Sequence, residues 1–226
     1  MYAKGFKRVL DFALSLAALL VFSPVLLFLT VLGAIKMKGN PFFTQLRPGK
    51  DEKIFRLIKF RTMTCEKDAE GNLLPDARRL TKYGKLLRST SLDELPELLN
   101  ILKGDMAVVG PRPQLVRDMV FMTDAQRLRH TVRPGLTGLA QVSGRNNISW
   151  EDKFTYDLQY IHSGITLRGD VKILFMTVGK VFLREDTVRE GTVSDLDLGD
   201  YLLEKGQVSR EDYEQKQSQA RELMKV

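Results

Sequence analysis

Two adjacent carboxylates, Asp93 and Glu94, stand in the run Ser91-Leu92-Asp93-Glu94-Leu95-Pro96. Two explanations fit them. One is structural: Ser91 and Glu94 have the spacing of a capping box, and acids near a helix start favour the macrodipole. The other is chemical. Proline sits comfortably only in the first turn of a helix, so Pro96 predicts a helix beginning near Asp93. The Asp93 carboxylate would then face outward beside free backbone amides, where phosphate binds and an ionised carboxylate can act as a nucleophile. Glu94 beside it offers the oxygen ligands that a hard divalent cation prefers.

Three arginines bear on the choice. Arg88 lies one to two turns before the acids if the helix preceding them is continuous. Arg112 is held between Pro111 and Pro113, which lowers the entropy lost when its side chain is used, and Arg145 follows Gly144. Guanidinium groups pair bidentately with phosphate oxygens. Singly, each arginine reads more readily as a surface or lipid-facing charge than as a phosphate ligand. Gly110, Gly135, Gly138 and Gly144 form neither a Walker A loop nor a dinucleotide fingerprint. One cysteine (Cys65) excludes an internal disulfide and fits a reducing compartment. Two histidines, His130 and His162, with that cysteine cannot build an ordinary zinc site. Carboxylates, arginines and lysines are the catalytic vocabulary left.

The charge is unevenly placed. Residues 190–226 hold nine acids and five bases, a net −4, so residues 1–189 carry +11 of a total +7. A body that basic expects a polyanion, a phosphate-rich ligand or an anionic membrane surface.

These residues need elements to hold them, and the first element is apolar. From Phe12 to Ile35 the chain has no charge and reads by length as membrane-embedded. Ser23-Pro24 interrupts it at the centre. A proline in a helix interior costs about 3 kcal/mol or more in water. A bend there leaves two arms of roughly 18 Å each at 1.5 Å per residue, too short for a hydrocarbon core of about 30 Å. Lys4, Lys7 and Arg8 precede the stretch and Lys36 and Lys38 follow it, so both ends favour the cytoplasmic side. The expectation is a re-entrant helix bending at Ser23-Pro24, with Ser23 satisfying a freed carbonyl. A straight single span and a cleaved signal peptide are the competing readings.

Beyond the anchor, 40–50 reads as irregular, 53–63 as a strand of unclean period and 65–81 as a polar loop. Two short helical patterns follow in 81–105, with a stop at Gly104. A short buried strand in 106–114 runs into Pro-Arg-Pro. Residues 133–146 read as a glycine-punctuated loop, 154–163 and 170–183 as amphipathic helices, and the charged tail as helical. The division expected is 1–38 membrane helix, 39–191 catalytic domain and 192–226 tail. The fold class expected is α/β and mostly helical: amphipathic helices on the membrane surface around a small irregular β element.

Taken together, SPVLL (23–27), PFFTQLRPG (41–49), KFRTM (59–63), residues 80–113, RHTVRPGLTGLAQVSGRN (129–146) and SWEDKFTYDLQYI (149–161) closely resemble the bacterial sugar transferases, and more narrowly the small monotopic phosphoglycosyl transferases. The resemblance runs from about Lys7 to Val181 and leaves the tail unassigned. It implies transfer of a sugar-1-phosphate from a UDP-sugar to polyprenyl (undecaprenyl) phosphate, with release of UMP, at the cytoplasmic face of the bacterial inner membrane. This would initiate a glycoconjugate. It further implies that Asp93 is the nucleophile of a phosphosugar-aspartyl intermediate, and that Glu94, with Asp93, binds Mg²⁺. Arg88, Arg112, Arg145 and Lys59 would meet substrate phosphate, Lys59 having the alternative of lipid headgroups. The partners implied are the UDP-sugar, polyprenyl phosphate and inner-membrane phospholipids, with no nucleic acid. Self-association and contact with downstream glycosyltransferases stay open, as does the identity of the sugar. The alternative of another class is a membrane-anchored scaffold whose basic face binds anionic lipid or nucleic acid without catalysis.

Overall fold

The computed structural model describes residues 2–144, 148–183 and 196–225. The apolar stretch forms one helix, α1 (Lys7–Lys36), with Pro24 inside it. The amide that Pro24 lacks would have bonded the Leu20 carbonyl, and the Ser23 hydroxyl donates to that carbonyl at 2.8 Å. The expected repair by Ser23 is therefore present. The 30 residues of α1 correspond to about 45 Å of helix at 1.5 Å per residue.

Helix α1 is two-faced. Asp11, Ser15, Leu29 and Gly33 are buried against the body, while Leu20, Val21, Leu27 and Phe28 lie exposed. A bare apolar face of that length suits lipid and not water. Contacts with the body run along both halves. Arg8 donates to the Ile101 and Leu102 carbonyls at 2.5 and 2.8 Å, and Asp11 accepts from the Val108 amide at 3.0 Å. In the second half, the Tyr83 hydroxyl donates to the Leu29 carbonyl at 3.1 Å. Gly33 lies so near Pro41 that an added Cβ would stand 3.0 Å from its ring.

Strands β1 (Phe42–Pro48) and β2 (Ile54–Phe60) form an antiparallel hairpin, registered from Phe42 opposite Phe60 to Pro48 opposite Ile54. Residues 40–50 are thus largely strand and not irregular. Pro41 and Pro48 fall just before and at the end of β1, where the missing amide costs little. Phe55, Leu57 and Phe60 of β2 are buried. Phe55 and Leu57 pack with Ala18 and Leu19 of α1, and Phe60 with Leu26 and Leu29. The two halves of α1 therefore seat on one hairpin.

A short helix, α2 (Asp76–Arg79), leads to α3 (Lys82–Ser89), which Thr81 caps by accepting from the Gly84 amide at 2.9 Å. Helix α4 (Glu97–Lys103) begins after Pro96 and ends at Gly104, whose φ of 96° supplies the expected stop. Asn100 in α4 is fully buried and bonds the β2 backbone twice: it accepts from the Ile58 amide at 3.1 Å and donates to the Arg56 carbonyl at 2.8 Å. That side chain fastens α4 to the hairpin.

A second sheet pairs β3 (Ala107–Val109) in parallel with β4 (Gly135–Thr137). Between them lie α5 (Val116–Met119) and α6 (Asp124–Arg127). The segment 133–146 is not simply a loop, since it holds β4 and α7 (Leu139–Gly144). Its glycines serve close packing: a Cβ on Gly135 would stand 2.1 Å from the Gly110 amide, and one on Gly138 would stand 2.1 Å from the Gly110 carbonyl. Helices α8 (Trp150–His162) and α9 (Leu167–Leu183) begin earlier than predicted. For α8 the reason is visible: Ser149 caps it, accepting from the Asp152 amide at 3.0 Å. Helices α10 (Leu198–Glu204) and α11 (Arg210–Leu223) complete the described chain and bury Leu198 and Ala220 against Phe121, Trp150 and Phe154. The described residues are mostly helical, as expected, and hold two separate two-stranded sheets in place of one β element.

Candidate active site

The acids do not start a helix. Helix α3 stops at Ser89, so no continuous helix carries Arg88 toward them. Ser91 takes the left-handed conformation, φ 56°, and makes no capping bond with its side chain. The capping box is therefore absent. Leu92–Glu94 forms a single 3₁₀ turn, placing Asp93 and Glu94 ahead of α4 and not at its cap. A positive φ on a serine is strained. Here it turns the chain sharply between α3 and α4, and the acids occupy the corner.

Lys59 of β2 points at that corner. Its Nζ lies 2.7 Å from Glu94 Oε1 and 3.0 Å from Glu97 Oε1. Arg112 Nη2 also reaches Glu94 Oε1, at 2.7 Å. Both cations thus share one oxygen of Glu94. Burial alone would push Glu94 up, but Arg112 and Lys59 outweigh it and hold the carboxylate well below its usual range. Burial would push Lys59 down, and Glu94 and Glu97 reverse that. Asp93 goes the other way: burial first, then the neighbouring Glu94 charge, raise its pKa despite Lys59, Arg88 and Arg112. Two adjacent carboxyls with opposed shifts are an arrangement typical of chemistry.

The loop carrying Arg112 is braced from behind. Arg129, buried, pairs with Asp157 of α8 at 2.6 Å and donates to the Arg112 carbonyl at 2.7 Å. Arg47 of β1 donates to the Pro113 carbonyl at 3.0 Å. Arg88 bonds the Thr62 hydroxyl at 3.1 Å and is near enough to Asp93 to act on its charge. The structure therefore gathers Lys59, Arg88, Asp93, Glu94 and Arg112. Arg145 lies outside the described residues.

Sequence reasoning passed over Glu97, Arg47, Arg129 and Asp157. Glu97 looks like an ordinary first-turn acid, yet it is 2% exposed and burial lifts its pKa to about 7. The spacing Asp93-Glu94-x-x-Glu97 was its only signal.

Among the described residues, no cluster of three or more His, Cys, Asp or Glu side chains is gathered to hold a metal. Mg²⁺ commonly uses one or two carboxylates plus substrate phosphate and water, so it does not require such a cluster. The donor set fits a hard cation: Asp93 and Glu94 offer adjacent carboxylates, and Lys59 and Arg112 share one oxygen of Glu94, Oε1.

A helix with a bare apolar face, a short hairpin seated on it and an acidic corner ringed by cations frame the candidate site. Residues 2–184 match the bacterial sugar transferase family, and the chain belongs to it. It is 49% identical over 179 residues to the uncharacterized sugar transferase EpsL of Bacillus subtilis, covering 79% of this chain and 88% of that protein. It is 40% identical over 190 residues to the UDP-glucose:undecaprenyl-phosphate glucose-1-phosphate transferase of Klebsiella pneumoniae, covering 80% of this chain and 41% of that one. To the undecaprenyl-phosphate galactose phosphotransferase of Salmonella typhimurium it is 35% identical over 201 residues, again 80% against 41%. The chain thus spans about two fifths of the latter two relatives.

Proposed function

We propose that this chain transfers a sugar-1-phosphate from a UDP-sugar to undecaprenyl phosphate at the cytoplasmic face of the inner membrane. The observation that carries this is the acidic corner: Glu94 fixed at 2.7 Å by both Lys59 and Arg112, with Asp93 beside it. Phosphoryl transfer asks for positioning and charge neutralisation more than for acid–base chemistry. Family membership and the activities for which two relatives are named support the substrate classes.

In the reaction, an Asp93 carboxylate oxygen attacks the donor phosphorus that bears the sugar. The bond from that phosphorus to the UMP oxygen breaks, and UMP leaves with the electron pair. A phosphate oxygen of the lipid then attacks the same phosphorus and releases Asp93 as carboxylate. Arg112 and Lys59 keep Glu94 ionised and place positive charge where the phosphate oxygens gather. Mg²⁺, held by Glu94 with Asp93, would supply further positive charge against the donor's diphosphate and favour ionised Asp93.

Helix α1 is the membrane element. It is long and apolar enough to cross a bilayer. Contacts of both halves with one body favour a re-entrant or in-plane course over a straight span. Such a course brings the acidic corner to the interface, where a soluble donor and a lipid-buried acceptor can both reach it. The deciding experiment is UMP release from a panel of UDP-sugars, with purified enzyme, Mg²⁺ and undecaprenyl phosphate. Turnover with at least one donor is expected. No turnover with any donor defeats the assignment.

A further inference from the structure

Helices α10 and α11 lie beyond the family match, which ends at residue 184. Their docking is specific. Asp118 of α5 is 2% exposed and spends both carboxylate oxygens on backbone amides: Oδ2 accepts from Leu115 and Oδ1 from Leu198, each at 3.0 Å. Arg117 pairs with Asp197 at 2.6 Å, and Lys216 of α11 donates to the Val120 carbonyl at 3.0 Å. Gly199 fits under Phe121 so closely that an added Cβ would stand 2.6 Å from the ring. The opposite wall is α8, where the Trp150 indole donates to the Leu196 carbonyl at 3.1 Å. These two walls, α5 and α8, bound the Arg112 loop: Leu115 follows Pro113 by two residues, and α8 supplies Asp157 to Arg129, which holds the Arg112 carbonyl.

We infer that the C-terminal helical pair is a strap that positions Arg112, with Asp118 as the joint between strap and loop. Pro111 and Pro113 stiffen the loop but do not fix where it sits. One carboxylate bonding the strap and the loop at once couples their positions. Misplacing a positioned group by about 1 Å can cost on the order of a hundredfold in rate. Asp118 and Gly199 are positioning residues; neither touches the acidic corner.

The inference rests on Arg112 acting on donor phosphate, and its test separates the two. In the full chain, Asp118→Asn and Gly199→Ala should each lower kcat about tenfold with KM for the UDP-sugar little changed. In an Arg112→Lys background the same substitutions should lower kcat less than about twofold, because the group they position is already impaired. Equal losses in both backgrounds, or no loss in either, overturn the strap. Amide hydrogen exchange of residues 107–119 reads the strap whether or not the enzyme turns over. Gly199→Ala should speed exchange there, and unchanged exchange overturns the inference even if every UDP-sugar proves inert.

Discussion

Arg112 and Lys59 share one oxygen of Glu94, and this shapes what substitutions there should do. Arg112 is nearly half exposed at its side chain, so it contributes little packing. Arg112→Lys keeps the charge but loses the planar fork. Turnover should fall about a hundredfold while the melting temperature barely moves. A melting shift of many degrees would make Arg112 a structural residue instead. Glu97 carries a pH signature. Its carboxyl has a folded pKa of about 7 against an ordinary 4.5, so folding favours its protonated form. That contribution is full below pH 4.5 and is lost as pH climbs through 7. Glu97→Gln removes the loss, so the variant's melting temperature should gain on the wild type between pH 5 and 8. A gap independent of pH would refute the assignment. The acids and Arg112 were legible in the sequence because an Asp-Glu pair beside a proline and an arginine between prolines are locally odd. Glu97 was not legible, since its burial depends on Lys59, which arrives from a strand far away in the chain.

The elements that hold the corner depend on close backbone approaches. Gly84 in α3 is the tightest: a Cβ there would stand 1.9 Å from the Thr62 carbonyl. Backbone cannot retreat as a side-chain tip can. Gly84→Ala should therefore cost about 3 kcal/mol, the upper end of the usual overpacking range, displace α3 with Arg88, and show as a large fall in melting temperature. A variant as stable as wild type would show that α3 has slack. Helix α1, the turn after α4 and the short strand β3 were legible because each is written in local pattern: an apolar run, Gly104, a buried triplet. Strand β1 was not, because Pro41, Pro48 and Gly49 look like loop punctuation until the pairing with β2 puts the prolines at the strand's ends. The 3₁₀ turn was missed for a related reason. Ser91 and Glu94 have capping spacing, but the chain must reverse between α3 and α4, and Ser91 takes a positive φ to do it.

The whole molecule hangs on α1, whose two halves grip one body through Arg8 and Asp11 on one side of Pro24 and through Leu29 and Gly33 on the other. If that body stays cytoplasmic, so do both ends of α1. A cysteine placed at position 2 or 3 should then resist a membrane-impermeant reagent added outside intact cells, whereas labelling from outside would mean a full span. The long helix was legible from apolarity alone, but its seating on the hairpin and the particular contacts that dock α10 and α11 were not, being contacts between distant parts of the chain. The chemistry can be weighed on the intact protein. Enzyme incubated with Mg²⁺ and a donor that supports turnover, without polyprenyl phosphate, should release at most one UMP per molecule and gain the mass of one phosphosugar. The lipid acceptor should remove that mass, and Asp93→Asn, a far poorer nucleophile, should never acquire it. If the wild type gains no mass under these conditions and releases UMP only when both substrates are present, the covalent role of Asp93 is wrong.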